Sequence, residues 1–168
     1  MLKSLIASLA LLLVACTPNP PEEKITLIAT QDFTLPLDTG LYNDEARQAL
    51  AIDAANPAYR NIMLGVSRSV DWVKAPKAYD IDLHYMAEKD GESRYELWVN
   101  DDLVKSAQAV ETNQEFESHI TQWNSVTLST NDTITVKANA VTNGNIPEGD
   151  GTAYSRGRWV KLELTPIK

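Results

Sequence analysis

Apolar and polar residues alternate in short stretches along most of the chain after residue 24. In Tyr79–Ala87 every second residue is apolar, and Arg94–Val99 follows the same rule. A period of two is that of a β-strand with one buried face. Similar stretches are Ile25–Ala29, Val70–Lys74, Val104–Val110, Trp123–Leu128, Thr133–Val141 and Arg158–Thr165. The pattern predicts an all-β domain with about 8–9 antiparallel strands, arranged as a β-sandwich of the jelly-roll type.

The connection Glu88–Glu92 lies between the two clearest strands and predicts a hairpin. A three-residue loop would place Tyr85 opposite Tyr95, and it would put Gly91 where a positive φ is favoured. Similar turn chemistry occurs at Asn100–Asp102 and at Ser129–Asp132.

This register leaves a second face opposite the core, with Trp98 beside Asp82 and His84 beside Glu96. A tryptophan among hydrogen-bonding groups is typical of a surface that stacks on sugar rings. Trp98 and His84 are therefore candidate ligand-binding residues. The alternative is that another layer of the domain covers this face.

Two interpretations of residues 43–56 remain open. Asn43 is a suitable N-cap for a short helix that Pro57 would end. A strand built on Leu50 and Ile52 explains the same residues.

The N-terminus has the layout of an export signal. Lys3 precedes Leu5–Ala15, an apolar run shorter than the about 20 residues that a membrane span needs. The motif Leu13-Val14-Ala15-Cys16 resembles the lipobox of bacterial lipoproteins. The resemblance implies a signal peptide over residues 1–15 and a lipid on Cys16 that holds the chain at a membrane. With Thr17 after the cysteine, it implies the outer membrane rather than the inner one.

A short spacer separates this segment from the predicted β-domain. Three prolines and two glutamates fall within residues 16–24, a composition that favours an extended tether. The predicted domain then covers residues 25–168. We expect the tether to hold this domain away from the membrane.

Composition narrows the possible partners of the domain. The 168 residues carry a formal charge of -8, which argues against nucleic acid and acidic polymers as ligands. One cysteine excludes an intramolecular disulfide, and two histidines exclude a multi-histidine zinc site. The length of 168 residues suits one domain whose core is large enough that stability requires neither a disulfide nor a metal, so we expect no required cofactor.

The sequence offers no recognisable catalytic constellation. Acidic pairs such as Asp80/Asp82 and Asp101/Asp102 are sequence neighbours, whereas glycosidases need two carboxylates on either side of a bond. We also find no nucleophile elbow, phosphate-binding loop or zinc-protease motif. The domain is therefore expected not to be an enzyme.

A long connection before the last strand is the second candidate site. Thr142–Tyr154 contains three of the seven glycines, and connections of this length are often functional. Arg158 has two interpretations, a hydrogen bond to a ligand hydroxyl or an ion pair with Glu148 or Asp150. The same two acidic residues are weak candidate ligands for calcium. The candidate ligand-binding residues here are Asn143, Asn145, Tyr154, Arg156, Arg158 and Trp159.

Two groups of strands resemble a known family. The segments Tyr79–Tyr85, Asp90–Ser93 and Tyr95–Asn100 are similar to the central strands of galactose-binding-like jelly rolls, which include many carbohydrate-binding modules. Asn131–Val136 and Gly157–Leu164 resemble the last strands of such modules.

This resemblance implies a ligand site in the loops at one edge of the sandwich, or sometimes on its concave face, and frequently a structural calcium ion. By position the edge site corresponds to Asn143–Tyr154. Arg156 or Arg158 stands where that family often has an acidic or amide residue.

The leading hypothesis is a lipoprotein whose domain binds a neutral or cationic glycan without cleaving it. A structural lipoprotein that docks onto a partner protein is the alternative, and a small polysaccharide lyase or hydrolase is a third. The first two differ in whether Trp98, Tyr154 and Trp159 line a groove or form a broad apolar patch. The third requires titratable groups that converge in a cleft.

Overall fold

Two antiparallel β-sheets pack against each other in the structure, a computed structural model that describes residues 23–168. The strands are β1 (Ile25–Ile28), β2 (Leu41–Asp44), β3 (Ala49–Ile52), β4 (Met63–Ser69), β5 (Lys77–Ala87), β6 (Arg94–Val99), β7 (Asp102–Gln108), β8 (Glu117–Leu128), β9 (Thr133–Asn139), β10 (Pro147–Glu148), β11 (Gly151–Thr152) and β12 (Trp159–Pro166). Sheet A has the order β2-β3-β12-β5-β8 with β1 also paired to β12, and sheet B has the order β4-β9-β6-β7. A short hairpin pairs β10 with β11. The predicted β-sandwich is confirmed.

The core lies between the two sheets and is built from alternate residues of each strand. Ile81 and Leu83 of β5 meet Leu97 of β6 and Val136 of β9 in one cluster of fully buried side chains. Burying such side chains stabilises the fold by roughly 1.5–3 kcal/mol each relative to exposure. The alternation in the sequence therefore identifies the inward face of these strands correctly.

The predicted hairpin between β5 and β6 is wrong. β5 pairs with β8 and β12 in sheet A, while β6 pairs with β7 and β9 in sheet B. Tyr85 and Tyr95 do face each other, but across the sandwich, with ring centroids 4.9 Å apart. Alternation reveals which side of a strand is buried and not which sheet the strand joins.

Gly91 has a different role from the one predicted. Its φ is not positive, but a Cβ at this position would lie 2.7 Å from the carbonyl oxygen of Val141. Glycine is required here because two backbones approach closely. The other predicted turns are confirmed by the positive φ values of Asn100 (56°) and Asn131 (71°).

The segment 43–56 forms strands and turns, so the helix interpretation is wrong. β2 and β3 make a hairpin with Gln48 at φ 52°, and all four residues of β3 are buried. A strand buried on both faces lacks the polar alternation that would have identified it. The described helices are instead α1 (Ala29–Asp32) and a single 3₁₀ turn (Pro57–Tyr59).

Val70–Lys74 is a loop, not a strand. The buried residues Val70 and Val73 are three positions apart, and Val70 exchanges backbone hydrogen bonds with Asn131 and Asp132 of a neighbouring turn. The strand that the alternation missed, β4, lies just before this loop.

The sandwich has two distinct ends, which we call the upper and lower ends. The upper end is where β5 finishes at Ala87, and the lower end is where β5 begins at Lys77. Ile25 pairs with Leu164, which pairs with Ile81, so the described chain enters at the lower end.

The predicted signal peptide, lipidated Cys16 and most of the tether lie outside the described residues. Within residues 23–168 no helix is long and apolar enough to cross a membrane.

Candidate functional site

A polar pocket of about 530 Å³ opens at the upper end of the sandwich. The β2–β3 hairpin contributes Tyr42, Asp44 and Arg47, and the connection after β5 contributes Glu88 and Asp90. Residues just before β8 and β12 complete the walls: Glu115, Phe116, Arg156 and Arg158. Segments far apart in the sequence thus bring three arginines and four carboxylates together. A volume of this size falls in the range of about 300–1,000 Å³ that is usual for small-molecule sites.

Arg158 forms the floor of the polar pocket. Its side chain is only 6% exposed, and its Nε donates to Asp44 Oδ2 at 2.8 Å while Nη1 donates to Glu88 Oε2. Nη2 makes a longer bond of 3.4 Å to the hydroxyl oxygen of Tyr42. A buried arginine is tolerated only when its charge is compensated, as it is here by two carboxylates.

The pKa values of the two carboxylates beside Arg158 shift in opposite directions. Burial opposes ionisation of Asp44, but hydrogen bonds and charges from Arg158 and Arg47 outweigh it and lower the pKa of Asp44. Burial raises the pKa of Glu88 despite the nearby charge of Arg158 and a hydrogen bond from the backbone N–H of Arg156. As the pH falls, Glu88 therefore becomes protonated before Asp44 does.

Arg156 links the floor to the rim of the polar pocket. Its backbone N–H donates to Glu88 Oε1 at 3.0 Å, and its Nη1 donates to the Tyr42 hydroxyl oxygen at 3.0 Å. On the other side, Arg47 lies over the ring of Phe116 with its Cζ 3.6 Å from the ring centroid. These contacts fix two guanidinium groups whose remaining N–H donors can bind a ligand.

An acidic cluster lies in the same pocket. Carboxylate oxygens of Glu88, Asp90 and Glu115 lie within 4.8 Å of one another. Asp90 Oδ1 is buried and has no hydrogen-bond partner among the described residues. Burial, followed by the negative charge of Glu115, raises the pKa of Asp90. An unpartnered oxygen such as Asp90 Oδ1 is an acceptor for a ligand hydroxyl group or a ligand for a cation.

Of the residues predicted to bind ligand, Arg156 and Arg158 lie in the polar pocket, and Arg158 is paired with Asp44 and Glu88 rather than with Glu148 or Asp150. Glu148 and Asp150 are exposed in the β10–β11 hairpin and do not belong to the acidic cluster of the described residues.

The long connection supports the pocket rather than lining it. Asn143 is half-buried and donates from Nδ2 to the Lys89 carbonyl oxygen at 2.8 Å. Asn145 is exposed, and its backbone N–H donates to Asn143 Oδ1. The Tyr154 ring is covered by the guanidinium group of Arg60 at 4.6 Å.

The predicted tryptophan at the last strand is a core residue. Trp159 is 2% exposed and makes an edge-to-face contact with Phe33, with centroids 5.0 Å apart. The register of β12 against β5 shifts between Trp159 and Lys161. This bulge turns Trp159 inward, so its prediction as an outward-facing residue is wrong.

Trp98 and His84 lie on opposite outer faces of the sandwich. Trp98 is half-buried on sheet B, where its Nε1 donates to Glu96 at 2.9 Å and the Lys137 ammonium lies 3.7 Å from the ring centroid. His84 is on sheet A, with Nε2 3.3 Å from Glu163 Oε2. The predicted common face was wrong because β5 and β6 belong to different sheets.

Most of the residues that build the polar pocket were missed by the sequence analysis. Asp44 and Glu88 meet Arg158 only after folding. One signal was present: Glu88 and Asp90 directly follow the long apolar alternation of β5 and precede a glycine. Charged residues at that position, where a strand leaves the core, are candidates for a site at the edge of the sheet.

Several solved structures are similar to this one. A GH26-CBM35 β-(1,4)-mannanase from Podospora anserina is 16% identical with a TM-score of 0.57, covering 86% of this chain and 28% of that chain. The CBM36-1 domain of a multidomain xylanase from the hindgut metagenome of Trinervitermes trinervoides is 13% identical with a TM-score of 0.54, covering 87% of this chain and 99% of that chain. A CBM36 carbohydrate-binding module in complex with calcium and xylotriose is 13% identical with a TM-score of 0.52, covering 83% of this chain and 97% of that chain.

The sequence matches no protein-family model, and no curated protein matches it either. At 13–16% identity the structural likeness establishes the fold alone. The domain therefore has the jelly-roll fold of carbohydrate-binding modules.

Proposed function

We propose that this chain is a bacterial lipoprotein whose domain binds a neutral or cationic glycan in the polar pocket and does not cleave it. The observation that carries the proposal is the convergence of fixed donors and carboxylate acceptors at the upper end of the sandwich, where Asp90 Oδ1 has no partner among the described residues and Glu115 is paired only with Lys89, at 3.2 Å. Arg156 and Tyr42 offer N–H and O–H groups, and Asp90 and Glu115 offer carboxylate oxygens. Sugar hydroxyl groups both donate and accept, so they match such a mixed set.

The solved structures with the same fold support a glycan as the ligand. The names of those proteins include a mannanase, a xylanase domain and a module bound to xylotriose. The acidic surface of this chain, with a net charge of -8, favours neutral or cationic polymers over polyanions.

The pocket chemistry favours binding over catalysis. Glu88, one of the three clustered carboxylates, is engaged by Arg158 and by the backbone N–H of Arg156. A general acid must release its proton to a leaving group, and a carboxylate fixed in a buried ion pair is poorly suited to that task. Asp90 then remains as a hydrogen-bond acceptor, together with the oxygen of Glu115 that does not contact Lys89.

We propose calcium as a cofactor of the same pocket. Calcium prefers carboxylate oxygens, and Asp90 with its buried, unpartnered Oδ1 fits that chemistry together with Glu115. Glu88 contributes through lone pairs that its arginine contacts leave free. Bound calcium would offset the repulsion among these carboxylates and tie the connection after β5 to the one before β8.

The membrane anchor is the second part of the proposal and rests on the sequence. Cys16 follows Leu13-Val14-Ala15 and carries the lipid, with the outer membrane as the expected location. Growth with a clickable fatty acid should label the wild-type protein and not Cys16→Ser. Membrane retention of Cys16→Ser without any label would contradict the anchor.

A binding screen tests the glycan part of the proposal. The purified protein is run by affinity electrophoresis against plant, algal and bacterial polysaccharides, with and without calcium. We expect at least one polysaccharide to retard it without release of reducing sugar, and Asp90→Asn to abolish the retardation.

Asp101→Asn is the matched control because Asp101 is exposed in a turn far from the polar pocket. Retardation lost equally in both variants, or no retardation by any polysaccharide, would contradict glycan binding at this pocket. The second result would favour docking onto a partner protein.

A further inference from the structure

We propose that a second cavity beside the polar pocket is a second sugar subsite, so that the domain binds consecutive residues of one linear glycan chain. This inference rests on the proposed function and deepens it. The second cavity, which we call the tyrosine cavity, has a volume of about 510 Å³. Its walls include Asp38, Thr39, Asp53 and Tyr59, and it shares Tyr42 and Arg156 with the polar pocket.

The shared residues make the two cavities neighbours along one surface. Tyr42 accepts a hydrogen bond from Arg156 at 3.0 Å and a longer one from Arg158 at 3.4 Å. These bonds use the lone pairs of the phenol oxygen, which leaves its proton free to donate to a ligand oxygen. A donor fixed between two cavities is well placed to bind the linkage between two sugar residues.

The tyrosine cavity is built on a rigid base. Gly40 has φ 76°, and a Cβ at this position would overlap the ring of Tyr59. The carbonyl oxygen of Gly40 accepts a hydrogen bond from the backbone N–H of Asp53 at 2.8 Å. The glycine thus allows ring and backbone to pack directly, and a site that is already formed costs little ordering free energy on binding.

The chemistry of the tyrosine cavity matches an uncharged or cationic sugar. Asp38 and Asp53 supply two negative charges against the single positive charge of Arg156. Asp53 Oδ1 accepts from the backbone N–H of Ala55 at 3.2 Å, which fixes the carboxylate and leaves its second oxygen as an acceptor. A sugar hydroxyl can donate to that oxygen, whereas a uronate carboxylate would be repelled.

Calorimetric titration with oligosaccharides of increasing length tests the inference. Xylo- and manno-oligosaccharides of two to six residues are the first probes, followed by partial hydrolysates of any polysaccharide that retards the protein. We expect the Kd of the wild-type protein to fall at least tenfold between the disaccharide and the hexasaccharide, because only longer chains reach both cavities.

Two variants separate the cavities. Asp53→Asn keeps the acceptor for Ala55, so the turn should survive, and Asp90→Asn alters only the polar pocket. Because the polar pocket is the primary site, we expect Asp90→Asn to weaken binding of every length and Asp53→Asn to weaken only the longer chains. Each loss should be at least about tenfold, which corresponds to one charged hydrogen bond. Asp101→Asn should leave all values unchanged.

Each outcome decides between the proposals. A Kd independent of length, or equal losses at every length in both variants, overturns the two-subsite arrangement and leaves glycan binding intact. Absence of binding by any polysaccharide or oligosaccharide overturns both.

Discussion

Arg158 and Glu88 are 70 positions apart in the sequence and form a buried ion pair on the floor of the polar pocket, with both side chains less than a tenth exposed. The pair joins the connection after β5 to the residues before β12. Asp44 binds the same guanidinium group from the β2–β3 hairpin. One side chain thereby holds three segments of the upper end in register.

Replacing this arginine should destabilise the domain strongly. Arg158→Met leaves Asp44 and Glu88 buried without their counter-charge, and breaking such a pair costs about 3–5 kcal/mol. Urea denaturation should show this loss. Lys89→Met is the control, because both side chains of its ion pair with Glu115 are about a third exposed and such a pair is worth about 0–1 kcal/mol. Equal losses in both variants would contradict the role assigned to Arg158.

Gly91 should tolerate no side chain. The added methyl group of Gly91→Ala meets the Val141 carbonyl oxygen at 2.7 Å, and such overpacking costs about 1–3 kcal/mol. Thermal denaturation measures the effect. Gly151→Ala is the control, since its methyl group would meet only the Glu148 carbonyl oxygen, at 3.9 Å. A stable Gly91→Ala protein would show that the two backbones can separate without cost.

The two tryptophans first considered for sugar stacking should behave differently. Trp159→Ala removes a core side chain and should cost about 3–5 kcal/mol of stability. Trp98→Ala loses a hydrogen bond to Glu96 and a contact with Lys137, together less than about 2 kcal/mol.

Trp98→Ala also tests the outer face of sheet B as a ligand site. Because Lys137 already covers its ring, we expect Trp98→Ala to keep its affinity for any polysaccharide that retards the wild-type protein. Affinity electrophoresis gives the answer. A loss of binding with the fold intact would move the site to sheet B.

Acid should weaken the contribution of Glu163 to the stability of the fold. Hydrogen bonds from Lys161 and then Lys24 lower the pKa of Glu163 from 4.5 to about 2. A carboxylate whose pKa is lowered by folding stabilises the native state above its unfolded pKa, and this stability disappears as the pH falls through the folded value.

We therefore expect Glu163→Gln to be less stable than the wild type at neutral pH, with a difference that shrinks between about pH 4.5 and pH 2. Urea titrations at several pH values measure it, with Asp101→Asn as the matched substitution. A difference that is constant over this range would contradict the lowered pKa.

The sequence predicted the buried face of each strand better than the sheet that the strand joins. Alternation placed Tyr85 and Leu97 on buried faces because burial acts on each strand separately. The predicted pairing of β5 with β6 was wrong. Two consecutive strands show the same alternation whether they pair within one sheet or lie in opposite sheets of the sandwich. β3 was uncertain for a related reason, since a strand covered on both sides carries no polar periodicity.

The site was harder to predict than the fold. Arg156 and Arg158 were identified because they follow a long loop, a local feature of the sequence. Asp44 and Tyr42 become recognisable only through contacts across 114 positions. The one local sign of Glu88 is its position directly after the apolar alternation of β5. No local pattern encodes such contacts, so only the folded chain reveals which acidic residues the arginines meet.

The entry of the chain at the lower end has a mechanical consequence. Tension between a polymer held at the upper end and an anchor before Ile25 would run along β1 and its neighbour β12, parallel to their axes. The hydrogen bonds between these antiparallel strands lie perpendicular to that direction, so they are loaded together in shear and not one after another. With the proposed anchor and the proposed glycan in place, the domain would bear a pulling force without unzipping from its N-terminal end.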